Sequence, residues 1–181
     1  SSDLRDKDYQ KNRLLFRNNV VRIGEFEAFE ISKTLHYQNK DVTTPLGIAH
    51  VSVPTDKIVL ATIFRAGLPF HNGFLNVFDH AGNAFVSAYR EYKDEAHHEV
   101  GVHVEYLATP SIDEKTLIIA DPMLATGGSA VDAVRMIKEH GGKNIKCMFV
   151  IAAPQGLERL HKEHPDVQIY VGHLDRELNE D

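Results

Sequence analysis

At 181 residues the chain has room for one domain with its own core, and 43% hydrophobic against 25% charged residues is an ordinary globular balance. A formal net charge of −6 argues against a broad nucleic-acid-binding face, though not against a local basic pocket for a small anion. No apolar run approaches the length of a membrane span and no leader peptide is visible, so no membrane partner and a cytoplasmic setting are expected.

The N-terminal third reads as helix. "RLLFRNNVVRIGEFEAFEISKTL" sets Leu15, Val20, Ile23, Phe26, Ile31 and Leu35 at mostly three- and four-residue steps, with Gly24 as a candidate bend. "TTPLG" around Pro45 reads as loop. Short apolar runs then alternate with helical patterns. Strands are expected over 57–64, 84–89, 116–120, 147–153 and 167–171, and several lack polar alternation, as strands covered on both faces do. "GLPFHNGFLNVF", "SAVDAVRMIKEHGG" and "GLERLHKEH" read as helices, the second stopping at Gly141 and the third before Pro165. "GVHVEYLA" alternates Val102, Val104 and Tyr106 with His103 and Glu105, the pattern of a half-exposed antiparallel strand that forms a flap with 84–89. The fold class is therefore α/β: a mostly parallel central sheet flanked by helices, with an antiparallel flap and a helical N-terminal segment, as one domain over 1–181. Cys147 lies within "CMFVIAAP" and reads as a buried, inert thiol. The histidines of "HHEVGVH" read as surface polar residues rather than metal ligands.

The chemistry concentrates in "DPMLATGGSA", residues 121–130. A strand ending at Ala120, a turn through Pro122 and a helix beginning near Ser129 or Ala130 would expose backbone N–H groups and a positive dipole end to an anion. Gly127 and Gly128 leave those N–H groups bare, and Thr126 and Ser129 add hydroxyl donors. No lysine follows the glycines, so this is not a nucleotide triphosphatase loop. From the glycines alone, a plain turn with Ser129 as N-cap fits equally well. Asp121 favours a ligand: a carboxylate there would repel a phosphate unless it accepted hydrogen bonds from the hydroxyls of an attached sugar or reached a metal through water.

These residues resemble the phosphoribosyl-pyrophosphate (PRPP) loop of the uracil phosphoribosyltransferase family, within the type I phosphoribosyltransferase fold. The likeness extends through "FRNNVVRIGEFEAFEISKTL", "IFRAGLPF", "AYREY", "VIAAPQGLERL", "HPDVQIYV" and "LDRELN" in matching order. It implies that Asp121 binds the ribose hydroxyls and that Ala125, Thr126, Gly127, Gly128 and Ser129 wrap the 5′-phosphate. Pro122, Met123 and Leu124 would shape the approach, and Arg65 and Arg90 would hold the diphosphate. Each arginine also ends an expected strand, where a planar guanidinium pairs well with phosphate oxygens.

The implied reaction transfers the phosphoribosyl group from PRPP to uracil, giving UMP and diphosphate in pyrimidine salvage, with Asp121, Arg65 and Arg90 as catalytic residues. Mg²⁺ would be bound mainly through PRPP, since Pro122 stands where many type I relatives carry a second acid. A homodimer or higher homo-oligomer is expected. The family's Gly/Asp-rich uracil-binding segment would follow Asp181, so the resemblance names no uracil-binding residue here. Two other readings use the same pocket: a non-catalytic regulator binding PRPP or a nucleotide, and a phosphoribosyltransferase for another base.

Overall fold

The computed structural model describes residues 2–92, 100–176 and 178. A short helix, α1 (Ser2–Arg5), and a 3-10 turn over Tyr9–Lys11 lead into the long helix α2 (Arg13–Ser32). Asn12 caps α2 by accepting a hydrogen bond from the Leu15 N–H at 3.2 Å. The face that α2 buries runs through Val20, Gly24, Glu27, Ala28 and Ile31. Leu15 and Phe26, expected on it, are exposed, because the steps 20, 24, 27/28 and 31 turn those two away from the sheet. Gly24 does not break the helix. It is where α3 (Leu68–Leu75) crosses: a Cβ at Gly24 would stand 2.6 Å from the Phe70 carbonyl oxygen, and one at Gly73 would run into the Val21 carbonyl.

The loop expected around Pro45 is present as the two-residue tip, Pro45 and Leu46, of an antiparallel hairpin that the sequence reading did not expect, β1 (Tyr37–Thr44) and β2 (Gly47–Pro54). Both strands are largely exposed; Ala49, Val51 and Val53 alternate with His50 and Ser52 in β2, whereas β1 is mostly polar and has no such pattern.

The main sheet comprises β3 (Ile58–Phe64), β4 (Gly82–Tyr92), β5 (Val100–Ala108), β6 (Thr116–Leu124), β7 (Asn144–Ala152) and β8 (Gln168–Leu174). Its order is β5-β4-β3-β6-β7-β8, parallel throughout except for β4–β5. Between β6 and β7 runs α4 (Gly128–Glu139), and between β7 and β8 runs α5 (Pro154–Glu163). Successive residues of the central strands serve opposite faces. Val59, Ala61, Leu117, Ile119, Cys147 and Phe149 pack with Val131, Val134 and Ile137 of α4 and Leu160 of α5. Leu60, Ile118, Ala120, Met148 and Val150 pack with Val20, Ala28 and Ile31 of α2 and Phe70 and Phe74 of α3. Two-sided burial is why these strands read as unbroken apolar runs. Cys147 is fully buried, and burial holds its thiol far above the range in which it would ionise.

Two strand ends position the site. Pairing of β3 with β4 stops at Phe64–Ser87, whereas β4 and β5 stay paired to Tyr92–Val100, with a register shift between Ser87 and Ala88. The outer half of that hairpin therefore projects beyond the parallel body as the expected flap. Similarly, β6 pairs with β3 only to Ala120 but with β7 through Leu124. The strand thus continues past the turn expected at Pro122, and proline is tolerated there because the β3 side has become an edge.

Candidate active site

Strand β6 delivers Asp121 at the point where β3 falls away, and the loop 125–127 carries the chain into α4. Gly127 is the N-cap, with φ +80°, a conformation that side-chain-bearing residues rarely adopt. Its carbonyl accepts the Val131 N–H at 2.9 Å, which starts the helix. No side chain caps α4. Ser129 is therefore inside the first turn and not the N-cap, and the first N–H groups of a twelve-residue helix stay available to an outside acceptor. The N-cap expected at Ser129 is thus corrected to Gly127.

The loop's shape is set from behind. A Cβ at Gly127 would stand 2.9 Å from the Gly156 carbonyl oxygen, and a Cβ at Gly156 would collide with the Ala125 carbonyl. Arg159, one turn further along α5, donates to the Thr126 carbonyl at 3.4 Å. Neither Gly156 nor Arg159 is singled out by sequence reasoning. The signal was present in "APQGLER", but only the close approach of α5 to the loop gives it meaning.

A cavity of about 180 Å³ joins the loop to the end of β3. Arg65, Asp121 and Met123 through Ser129 all line it, together with Ile63, Phe64 and Ala66. Pro122 does not line it; it sits in the strand between Asp121 and Met123. Arg65 is exposed at the turn from β3 into α3, and the Phe64–Arg65 peptide is cis. Arg90 lies on the projecting part of β4, paired with Val102, and its strand runs on to Tyr92 rather than ending there. The Arg90 side chain lies outside the described residues, as do residues 97–99 of the histidine-rich stretch.

Burial lifts the Asp121 carboxyl from its ordinary 3.8 to about 7, against a smaller opposing pull from its hydrogen bond with the Met123 N–H. Its side chain keeps some exposure, toward the cavity, while packed protein surrounds the rest. A cation or a set of hydroxyl donors entering the cavity would bring that value down. Among the described residues no group of three His, Cys, Asp or Glu side chains could hold a metal ion. Two larger hollows, of about 730 and 550 Å³, open near the amino ends of β3 and β6, away from the carboxyl ends where ligands of open α/β sheets bind.

The family model for uracil phosphoribosyltransferase matches residues 1–181. A relative of that name from Porphyromonas gingivalis is 49% identical over 98% of this chain and 82% of its own length. Another, from Bacillus pumilus, is 41% identical over 91% of this chain and 78% of its own. The solved structure of an Aquifex aeolicus protein superposes with a TM-score of 0.82 at 33% identity, covering 91% of this chain and 77% of that one. A hypoxanthine phosphoribosyltransferase from Staphylococcus aureus aligns over 88% of this chain and 74% of its own with a TM-score of 0.58 and 14% identity, a likeness of fold alone. With the model matched end to end, and the bare helix start, Asp121 and Arg65 meeting in one cavity, the chain belongs to the uracil phosphoribosyltransferase family.

Proposed function

We propose that this chain transfers the phosphoribosyl group of PRPP to uracil, forming UMP and diphosphate. The observation that carries the reading is the convergence, in one cavity, of an uncapped helix start, a half-buried carboxylate and an arginine. The amides of residues 125–129 seat the 5′-phosphate. Asp121, once ionised, accepts hydrogen bonds from the ribose hydroxyls and lies near the sugar carbon that becomes electron-poor as its bond to diphosphate breaks. Arg65, joined by Arg90 from the flap, takes up the charge that gathers on the leaving diphosphate. A uracil ring nitrogen attacks the same carbon, so no covalent enzyme intermediate is required and positioning does most of the work. The projecting β4–β5 hairpin excludes water that would otherwise hydrolyse the activated sugar.

Mg²⁺ fits as a companion of PRPP rather than a resident of the protein. Among the described residues Asp121 is the one carboxylate lining the cavity, and Pro122 supplies no second. When bound with PRPP, the ion would supply charge neutralisation at the diphosphate, and Asp121 is the residue that would approach it, through water.

A cytoplasmic setting is part of this proposal; among the described residues no helix is long and apolar enough to cross a membrane. A homodimer or larger homo-oligomer is part of the same proposal. Leu46 is fully exposed at the β1–β2 tip, Ile48 is 67% exposed beside it, and Phe26 is 74% exposed on α2, surface that a second copy would cover.

The deciding assay supplies uracil, PRPP and Mg²⁺ and measures UMP. Turnover with orotate or hypoxanthine in place of uracil would reassign the base. Tight PRPP binding with no turnover on any of them would make the chain a regulator.

A further inference from the structure

A row of rings runs along β3, β4 and α3 to the residue before Arg65. Phe64 stacks on Phe85 of β4, with centroids 5.0 Å apart and planes at 23°. Phe85 in turn meets the ring of His71, on α3, at 5.7 Å and 47°. His71 is 1% exposed, and its Nε2–H donates to Asn83 Oδ1 at 2.7 Å. Asn83 and Phe85 lie two residues apart on β4, so the row climbs from the amino end of the sheet to the site end. At that end the chain turns sharply: the Gly67 N–H donates to the Ile63 carbonyl at 3.2 Å and the Leu68 N–H to that of Arg65 at 3.4 Å. Phe64, the last ring of β3, immediately precedes Arg65 and that turn.

We propose that His71 is a positioning residue for diphosphate recognition, acting through Phe85 and Phe64 on Arg65. Resting on the reading that Arg65 holds the diphosphate, it assigns His71 a part that no direct contact with substrate would reveal. A neutral imidazole suits the place, since Nε2 is tied to Asn83 while the buried Nδ1 has no hydrogen-bond partner among the described residues. Burial accordingly pushes its pKa below the usual histidine value, against the smaller opposing effect of Asn83.

The test is a double-variant cycle with separate KM values for PRPP and uracil, alongside thermal melts of every protein. Arg65→Ala alone checks the underlying reading: an unchanged KM for PRPP would sink that reading and this proposal with it. With Arg65→Ala impaired, His71→Ala is expected to raise the KM for PRPP roughly tenfold and leave that for uracil within about twofold. His71→Phe, which keeps a ring against Phe85, should recover most of the loss. In the Arg65→Ala background His71→Ala should add almost nothing, because its effect passes through the missing guanidinium. Fully multiplicative losses, or equal rises in both KM values that track the melting temperature, would overturn the role of His71 while leaving that of Arg65 intact. Should His71→Ala fail to fold, Phe85→Leu takes its place in the same cycle, with the same outcomes deciding.

Discussion

Asp121 rests in surroundings that favour its neutral form, whereas the ribose binding proposed for it needs the charged one. With the carboxyl at about 7 in the free protein, kcat/KM for PRPP should climb as pH rises through about 7 and then level off. In Asp121→Asn this step should vanish, and turnover should fall at least about tenfold with the fold retained. A pH–rate profile of both proteins checks this, and an unchanged profile in the variant would remove Asp121 from its role. Arg65→Ala should cost turnover by a similar factor. At this scale the sequence was most readable where backbone chemistry is local: Gly127 and Gly128 mark the turn from strand into helix by their identity, although they left open whether Ser129 caps it. Gly156 and Arg159 are silent by comparison, since they matter only through a loop 30 residues away in the chain.

Helix α2 shows how an element can be found while its face is misjudged. The periodic pattern over residues 13–35 gives the helix, but a stripe drawn through Leu15 and Phe26 differs from the one the sheet covers. Which stripe turns inward is decided by α3, whose Gly73 presses its backbone against that of α2 at Gly24. Gly73→Ala should therefore cost about 2–3 kcal/mol of stability, because backbone on both sides must move to admit one methyl group. Urea unfolding would measure it, and a loss below about 0.5 kcal/mol would mean that the two helices separate easily. The β1–β2 hairpin escaped sequence reading for a different reason: the alternation Ala49, Val51, Val53 in β2 faces a mostly polar β1, so the pair announces itself on one side only. Turn residues at its tip were legible, but the pairing of its arms was not.

Across the whole molecule two buried acids bias stability in one direction. Glu27 is 8% exposed, its Oε2 has no partner among the described residues, and burial raises its pKa from 4.5 to about 8. The folded chain keeps that proton up to about pH 8, whereas the unfolded chain releases it near 4.5. The native state thus binds more protons across this window, and stability contributed below it is lost as pH rises through it. Asp121, raised from 3.8 to about 7, adds to the same slope. Melting temperature should accordingly decline from pH 5 to pH 9, and Glu27→Gln should flatten the decline by melting higher than the parent at pH 9. Equal melting of the two at pH 9 would show that Glu27 is better solvated than its packing implies. Association belongs to this scale as well. Replacing Leu46 and Ile48 with serine should shift sedimentation toward the monomer, and no shift would place any interface elsewhere.

By itself the sequence determined the alternation of strands and helices, the two-faced burial of the central strands and the small-residue loop before α4, because each depends on residues close together in the chain. Tertiary structure alone decided which helix faces turn inward, where β6 loses its β3 neighbour so that Asp121 and Pro122 remain in strand, and how α5 supports the loop. Those outcomes depend on contacts between segments far apart in the chain, whose energy no local pattern records.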